Sequence, residues 1–170
     1  MTKSYYSRTI LRKTEFLIPA LNAVNSFLKN STVAIVGVGG VGGYAAEMIV
    51  RAGVGRVIIV DADVVSESNK NRQLLALDST MGQSKVKVLS QRLKDINPQL
   101  DIVPVEEYMT EENVGALLEG AAAGKKIDFL VDAIDTLAPK IALISYCVSG
   151  AIPLVSSMGS GAKFDATKVR

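Results

Sequence analysis

The sequence predicts an α/β fold in which a doubly wound, mostly parallel Rossmann-like sheet carries helices on both faces. Short apolar runs alternate along the chain with segments of helical periodicity. The runs are almost continuously apolar, as in strands that are covered on both faces. A glycine cluster separates the first run from the helical pattern that follows it. The 170 residues correspond to about one domain, so residues 1–170 are interpreted as a single domain.

The predicted elements follow one another without an interdomain linker or an internal repeat. In chain order they are a helix over 19–28, a strand over 32–37, a helix over 41–52, a strand over 56–61, a helix over 86–96, a strand over 101–105, a helix capped at Thr110, a strand over 127–132, a helix over 139–149 and a strand over 152–156. Because no closing element follows the last strand, we expect the chain to be the N-terminal part of a longer protein domain.

The helix patterns also predict which side chains face the core. Leu21, Val24 and Leu28 share one face of the first helix, together with Leu17. The last helix is predicted to direct Ile141, Ile144 and Val148 inward. Pro104 indicates an edge position or a strand end for the third strand, since proline cannot donate to a sheet ladder.

Composition excludes several classes of active site. The chain contains no histidine, which rules out within it a Ser-His-Asp triad, a Cys-His pair and a histidine-ligated metal. Its one cysteine, Cys147, allows neither an internal disulfide nor a zinc site of the CxxC type, and we interpret it as a small buried hydrophobe. No secretory or membrane-spanning pattern is present, so we expect a soluble, cytoplasmic protein without a membrane partner.

The glycine cluster predicts a phosphate-binding turn. Gly37, Gly39 and Gly42 fit the pattern GxGxxG, and Gly40 extends it to GxGGxG. Such glycines let the backbone approach phosphates, toward which the following helix directs its positive end. A tight turn without a ligand is the alternative, but the strand before it and the helix after it favour a nucleotide.

Two carboxylates follow the second strand. Asp61 ends that strand, where a carboxylate accepts hydrogen bonds from ribose hydroxyls in nucleotide-binding folds. The alternative is that Asp61 begins a turn, but its position favours ribose. Asp63 is also a carboxylate, but it lies two residues beyond the end of the strand, so its position indicates ribose less strongly. The ribose and turn interpretations stay equally open for Asp63.

Cations and amides downstream suggest a more highly charged ligand than a dinucleotide. Asn69, Asn71, Arg72 and Gln73 form one polar segment, and Lys85 begins the next helix. A triphosphate requires Lys and Arg, whereas a dinucleotide pyrophosphate is held mostly by backbone amides. From composition alone, a solvated charged loop explains these residues better.

Two more carboxylates stand at the end of the fourth strand, along the edge where open α/β sheets bind ligands. Asp132 and Asp135 supply oxygen ligands of the kind that Mg²⁺ prefers. Alternatively, Asp135 or Thr136 caps the helix before Pro139. Both interpretations are compatible, with Asp132 as the metal ligand and Asp135 at the cap or at the edge of a base.

Taken in order, these segments resemble the HesA/MoeB/ThiF superfamily, the relatives of ubiquitin-activating enzymes. The segments are GxGGxG, then VDADV from Val60, then NKNRQ from Asn69, then GQSK from Gly82, then DAID from Asp132. Within the superfamily, the chain is most similar to the branch that dehydrates threonylcarbamoyladenosine in tRNA. The additional segments that resemble this branch are NRQLLAL from Asn71, INP from Ile96, VDAIDT from Val131 and PLVSSMG from Pro153.

The resemblance implies ATP and Mg²⁺ as cofactors and adenylation of a substrate carboxylate. In the tRNA branch, loss of AMP then closes a ring, which amounts to an ATP-driven dehydration. In the other branches, the carboxylate is the C-terminus of a small sulfur-carrier protein. The glycine loop, with Asn69, Gln73 and Asp135 beside it, would hold the nucleotide. The remaining implied roles are ribose binding for Asp61, charge neutralisation for Asn71, Arg72 and Lys85, and Mg²⁺ binding for Asp132.

The N-terminal segment around Tyr6 resembles a family segment whose arginine reaches the ATP site of a partner subunit. Arg8 is the residue that this resemblance assigns, and Arg12 is a rival. The resemblance thereby implies a homodimer. The CxxC zinc pairs of the sulfur-carrier branch are absent from the chain, which favours the tRNA branch.

Two further hypotheses compete with adenylation. The first is an NAD-dependent oxidoreductase, the class of protein in which a lone GxGxxG motif is usually found. Arg72, Lys85 and Asp132 argue against it, because they favour a triphosphate over a hydride donor. The second competing hypothesis is a nucleotide-binding module without catalysis. This hypothesis predicts ATP binding without pyrophosphate exchange.

Overall fold

A computed structural model describes the backbone of residues 5–158 and the side chains of residues 18–158. The elements are α1 (Tyr5–Asn30), β1 (Thr32–Val36), α2 (Gly42–Arg51), β2 (Arg56–Val60), α3 (Lys85–Ile96), β3 (Asp101–Val105), α4 (Val114–Ala122), β4 (Phe129–Asp132), α5 (Leu137–Ser149) and β5 (Leu154–Ser156). Two single-turn 3₁₀ helices, Glu67–Asn69 and Asp78–Thr80, lie between β2 and α3. Over residues 5–158, no helix combines the length and the hydropathy that crossing a membrane requires.

The five strands form one parallel sheet in the order β3-β2-β1-β4-β5, which confirms the predicted fold class. The chain runs outward from β1 through β2 to β3, and then returns to place β4 on the other side of β1. The carboxyl ends of β1 and β4 therefore flank the point where the strand order reverses. Open α/β sheets bind their ligands in the crevice at this point.

The sheet is covered on both faces, as the apolar runs predict. Val33 and Ile35 of β1 lie in the core layer beneath α2 and α3, whereas Ala34 and Val36 lie in the opposite layer beneath α4 and α5. All four are buried. β3 forms one edge of the sheet, which confirms the edge position that Pro104 indicates.

The first helix differs from its prediction. It extends from Tyr5 to Asn30 with Pro19 in its interior, although the sequence predicts that the helix begins at this proline. Leu21 and Val24, expected to face the core, are exposed, and Leu28 packs against it. Leu17, on the same predicted face, lies outside the residues whose side chains are described. Backbone hydrogen bonds from Ser31 and Gly55 to the Leu28 carbonyl attach the C-terminal end of the helix to the sheet.

The start of α4 also differs, because Thr110 does not cap it. The helix begins at Val114, with Asn113 as the residue before it. The Asn113 side chain accepts a hydrogen bond from the Thr110 amide at 2.7 Å and donates one to the Tyr108 carbonyl at 2.8 Å. Asn113 thus orders the loop that joins β3 to α4.

The inward face of α5 is rotated relative to the prediction. Ile141 and Val148 are 56% and 69% exposed, and Lys140, Leu143 and Cys147 are the buried residues. A helical pattern predicts that a lysine faces solvent. Lys140 faces inward because its ammonium is paired with the buried carboxylate of Asp132. Cys147 is buried as predicted, and burial raises the pKa of its thiol, with the nearby Asp132 charge as a smaller cause.

Candidate nucleotide-binding site

The glycine loop between β1 and α2 has a shape that two of its glycines require. Gly37 has a φ of +84°, and a Cβ there would lie 2.7 Å from the Ala133 carbonyl oxygen. A Cβ at Gly42 would lie 1.8 Å from the Gly37 oxygen. Side chains at these two positions would therefore force the loop apart.

The loop presents backbone donors at the N-terminus of α2. Across residues 18–158, nothing accepts a hydrogen bond from the amides of Gly39, Gly40 or Val41. A Cβ at Gly39 or Gly40 would meet only ordinary contacts, at 3.4 Å from atoms of Gln73 and Arg72 respectively. Bare amides at the start of a helix form an anion-binding site.

Asp61 connects the glycine loop to the segment that follows β2. One carboxylate oxygen accepts a hydrogen bond from the Val38 amide at 2.8 Å, and the other accepts one from the Asp63 amide at 2.8 Å. These bonds hold the carboxylate beside the loop. Since a carboxylate has about four acceptor positions, it keeps the capacity to accept from ribose hydroxyls.

The polar segment 69–73 lies against the same loop. Asn69 is buried, and its side-chain oxygen accepts from the Ser66 amide, while its carbonyl accepts from the amides of Arg72 and Gln73. This turn places Arg72 over Gly40 and Gln73 against Gly39. The structure thereby brings together two motifs that are about thirty residues apart in sequence.

The Arg72 side chain is exposed and partly oriented. Its Nη1 donates to the Ser68 carbonyl at 3.0 Å and to the side-chain oxygen of exposed Asn71 at 2.9 Å. These bonds use one nitrogen of the guanidinium, and Nη2 and Nε keep donors for an anion. Gln73 is buried, and its side-chain oxygen lacks a hydrogen-bond partner within the described part of the chain.

Lys85 lies beside Asp63, which follows β2. Its side chain is 6% exposed, and its Nζ donates to an Asp63 oxygen at 2.7 Å. The other Asp63 oxygen accepts from the Tyr108 hydroxyl at 3.3 Å. The hydrogen bond from Lys85 lowers the pKa of Asp63 below its usual value. Asp63 therefore orients Lys85, which is a different role from the ribose contact weighed for it.

A cavity of about 440 Å³ opens at this position. Its lining includes Asp63, Val64, Ser66, Asn69, Lys85 and Tyr108. Tyr108 follows the carboxyl end of β3 and is not among the residues predicted from the sequence, because a lone tyrosine in a polar loop has no distinguishing pattern. The cavity shares Asn69 with the 69–73 segment that packs on the glycine loop.

Both carboxylate oxygens of Asp132 accept hydrogen bonds from groups of the protein. Asp132 is 0% exposed, and one oxygen accepts from the Ile134 amide at 3.0 Å. The other accepts from Lys140 Nζ at 2.6 Å and from the Ser156 hydroxyl at 2.5 Å. Residues 18–158 also contain no cluster of three or more acidic or thiol groups that would hold a metal. In this conformation Asp132 does not fit a magnesium ligand.

The remaining predicted residues are less constrained. Asp135 is exposed, and its contact with the Thr136 hydroxyl spans 3.5 Å. Thr136 takes the N-cap position of α5 but makes no side-chain cap bond. The predicted N-cap position of Thr136 is therefore confirmed, although its side chain does not make the cap hydrogen bond. The side chains of Arg8 and Arg12 lie outside the described residues, so their assignment stays a prediction.

Sequence reasoning missed Lys140. The signal was present, because this lysine falls on the same helical face as Leu143 and Cys147. A cation inside an apolar stripe indicates a buried partner, and Asp132 is the carboxylate that the sheet places beside it.

Comparison with known proteins shows the family of this chain. A family model described as the ThiF family matches residues 17–169. The tRNA threonylcarbamoyladenosine dehydratase of Bacillus subtilis is 46% identical over 141 residues, which cover 83% of this chain and 54% of that protein. The molybdopterin-synthase adenylyltransferase of Escherichia coli is 38% identical over 129 residues, which cover 76% of this chain and 49% of that protein. The chain spans about half the length of these curated relatives.

A solved structure agrees with the fold. The crystal structure of the E. coli tRNA N6-threonylcarbamoyladenosine dehydratase in complex with ATP is similar with a TM-score of 0.79 and 33% identity. The match covers 98% of this chain and 66% of that one. The family model covers most of the chain. The chain belongs to the ThiF family.

Proposed function

We propose that this chain forms the ATP-binding part of an enzyme that adenylates a substrate carboxylate. The observation that carries the proposal is the charge arrangement around the glycine loop. Within the described residues, three backbone amides of the glycine loop are unpaired and the exposed guanidinium of Arg72 lies over Gly40. The ammonium of Lys85 lines the cavity that also contains Asn69 of the 69–73 segment. A triphosphate has the charge to use all of these donors. The similar E. coli dehydratase has been solved with ATP, which supports the same ligand.

The residues of this chain bind and orient the reactants. The glycine-loop amides hold phosphate oxygens, Asp61 accepts from ribose hydroxyls, and Gln73 receives a donor from the nucleotide. Arg72, Asn71 and Lys85 stabilise negative charge that develops on the phosphates. When bound, ATP supplies the adenylyl group that converts the carboxylate into a mixed anhydride with AMP, and pyrophosphate leaves.

Magnesium belongs to the proposal as the ion that accompanies ATP. Mg²⁺ keeps several water ligands and needs only one or two carboxylates beside substrate phosphates. We assign no step to it here, because Asp132 offers no unengaged oxygen. Measuring ATP affinity against Mg²⁺ concentration in wild type and Asp132→Asn tests whether Asp132 binds the ion. We expect an equal Mg²⁺ dependence in the two proteins, and a weaker dependence in Asp132→Asn would show that Asp132 is a metal ligand.

The substrate that we propose is threonylcarbamoyladenosine in tRNA. Four curated relatives with identities between 32% and 46% carry the name of that dehydratase. The test is to incubate the full-length protein with ATP, Mg²⁺ and tRNA that carries this nucleoside. We expect the nucleoside to lose the mass of one water, and we expect Lys85→Ala to abolish the loss. An unchanged mass with the wild-type protein contradicts this substrate.

A second candidate is adenylation of the C-terminus of a sulfur-carrier protein, which the similarity to the molybdopterin-synthase adenylyltransferase favours. Both reactions release pyrophosphate, so exchange of labelled pyrophosphate into ATP reports on either. Exchange that is stimulated by a carrier protein but not by the modified tRNA would select the second candidate. Exchange that is stimulated by the tRNA alone would select the first.

The assembly and location are proposals of the same kind. We propose a homodimer in the cytoplasm, in which Arg8 reaches the ATP site of the partner subunit. Sedimentation of the full-length protein tests the dimer. Mixing inactive Arg8→Ala with inactive Lys85→Ala subunits tests the arginine, because mixed dimers would regain one intact site. Failure to regain exchange activity in mixed dimers would contradict this role.

A further inference from the structure

Lys140 and Asp132 form an ion pair that is buried from solvent. Lys140 is 4% exposed and Asp132 is 0% exposed. The Lys140 Nζ lies 2.6 Å from the Asp132 oxygen. Charges in such a position persist only when each is paired and its remaining hydrogen-bonding capacity is used. Lys140 belongs to none of the motifs that the family resemblance assigns.

All three ammonium donors of Lys140 have acceptors. Besides Asp132, they reach the Ser156 hydroxyl at 3.3 Å and the Ser157 carbonyl at 3.1 Å. The Ser157 amide in turn donates to the Asp132 carbonyl at 2.8 Å. Lys140 therefore joins the first turns of α5 to the carboxyl ends of β4 and β5.

The same carboxylate supports the glycine loop. The second oxygen of Asp132 accepts from the Ile134 amide, which closes a turn around Ala133. The Ala133 amide donates to the Val36 carbonyl at 2.8 Å, and the Ala133 oxygen lies 2.7 Å from the position that a Cβ on Gly37 would take. The contacts run from Lys140 through Asp132 to the floor of the nucleotide site.

We propose that Lys140 is a positioning residue for nucleotide binding, which acts through Asp132 by holding the 132–134 turn against the glycine loop. The role rests on the proposed function, because it concerns ATP binding at that loop. It also makes Asp132 the counter-ion of Lys140 instead of a metal ligand. A lysine that served only the stability of the fold would leave ATP affinity unchanged in protein that is still folded.

The experiment measures ATP affinity by titration calorimetry and stability by urea unfolding in the full-length protein. The variants are Lys140→Met, Asp132→Asn, the double variant and Leu118→Ala. Leu118 is a fully buried residue of α4 on the core layer that also contains Leu143, so it serves as a control for lost stability alone. Affinity is measured at a temperature where every variant is folded.

We expect Lys140→Met to bind ATP at least about tenfold more weakly, and Leu118→Ala to bind within about twofold of wild type. The double variant should bind like Asp132→Asn to within about threefold, since Lys140 acts through that carboxylate. If Lys140→Met does not fold, ATP affinity is compared among wild type, Asp132→Asn and the double variant. We then expect Asp132→Asn to bind ATP more weakly than wild type, and the double variant to bind like Asp132→Asn.

Two results would overturn the inference. One is a folded Lys140→Met that binds ATP as tightly as Leu118→Ala. The other is a double variant that binds ATP clearly more weakly than Asp132→Asn, because independent effects would then multiply. Absence of ATP binding by the wild-type protein is a separate outcome. It would contradict the proposed function itself.

Discussion

The carboxylate of Asp61 accepts a hydrogen bond from the backbone amide of Val38 at 2.8 Å. This bond joins the end of β2 to the glycine loop that follows β1. A residue predicted for ribose binding thus also holds the phosphate-binding loop in place. The proposed ribose contact and the proposed phosphate contacts are therefore coupled through one side chain.

Replacing Asp61 with Asn should weaken both the fold and ATP binding. An amide cannot accept on both sides, so its NH₂ group would face the amide of Val38 or of Asp63. We expect a loss of about 1–3 kcal/mol in the free energy of unfolding, measured in urea, and weaker ATP binding. Asp95→Asn on the exposed face of α3 is the matched control. Equal behaviour of the two variants would contradict the coupling.

Replacing Gly42 with Ala should disrupt the loop. The added Cβ would lie 1.8 Å from the Gly37 oxygen, which leaves no room for the present backbone. We expect a loss of more than about 3 kcal/mol in the free energy of unfolding. Gly120→Ala in α4 meets nothing within 4 Å and should gain about 0.5–1 kcal/mol. Denaturant unfolding measures the free energy of unfolding of both variants. A Gly42→Ala protein as stable as wild type would contradict the prediction.

Replacing Arg72 with Ala should impair ATP-dependent chemistry without affecting the fold. Its guanidinium is exposed, so the change in unfolding free energy should stay within about 0.5 kcal/mol. Loss of a cation that stabilises phosphate charge should reduce pyrophosphate exchange by about 10²-fold. Lys87→Ala, which removes an exposed lysine paired with Glu106, should leave exchange unchanged. Arg72→Ala with wild-type exchange would remove this residue from the site.

Glu47 should make the stability of the protein depend on acid pH. Hydrogen bonds from Arg92 and then Arg51 lower the pKa of Glu47 below its usual value of 4.5. Its ionic contribution is therefore complete above pH 4.5 and is lost as the pH falls through the lower pKa of the folded state. We expect Glu47→Gln to be less stable than wild type in urea at neutral pH. The difference between the two proteins should shrink as the pH falls below 4, and a constant difference would contradict the ion pair.

The strands were predictable because their signal is local. Each apolar run between glycine and polar segments marks a strand that both core layers cover, and β1 to β5 lie where the runs predict them. The edge position of β3 also followed from one residue, Pro104. Helix faces were less predictable. Leu28 at the end of α1 packs on the core, but Leu21 and Val24 of the same apolar stripe are exposed, so the stripe did not show which residues are buried.

The sequence by itself determined the fold class, the glycine loop and the identity of the charged residues near it. These depend on backbone geometry and on residue order, which a linear motif records. Only the tertiary structure decided which charges are paired. Lys85 lies against Asp63, and Lys140 lies against Asp132, at sequence separations of 22 and 8 residues. A buried charge needs a partner within a few ångströms, and that partner is supplied by the packing of helices on the sheet, which no local pattern records.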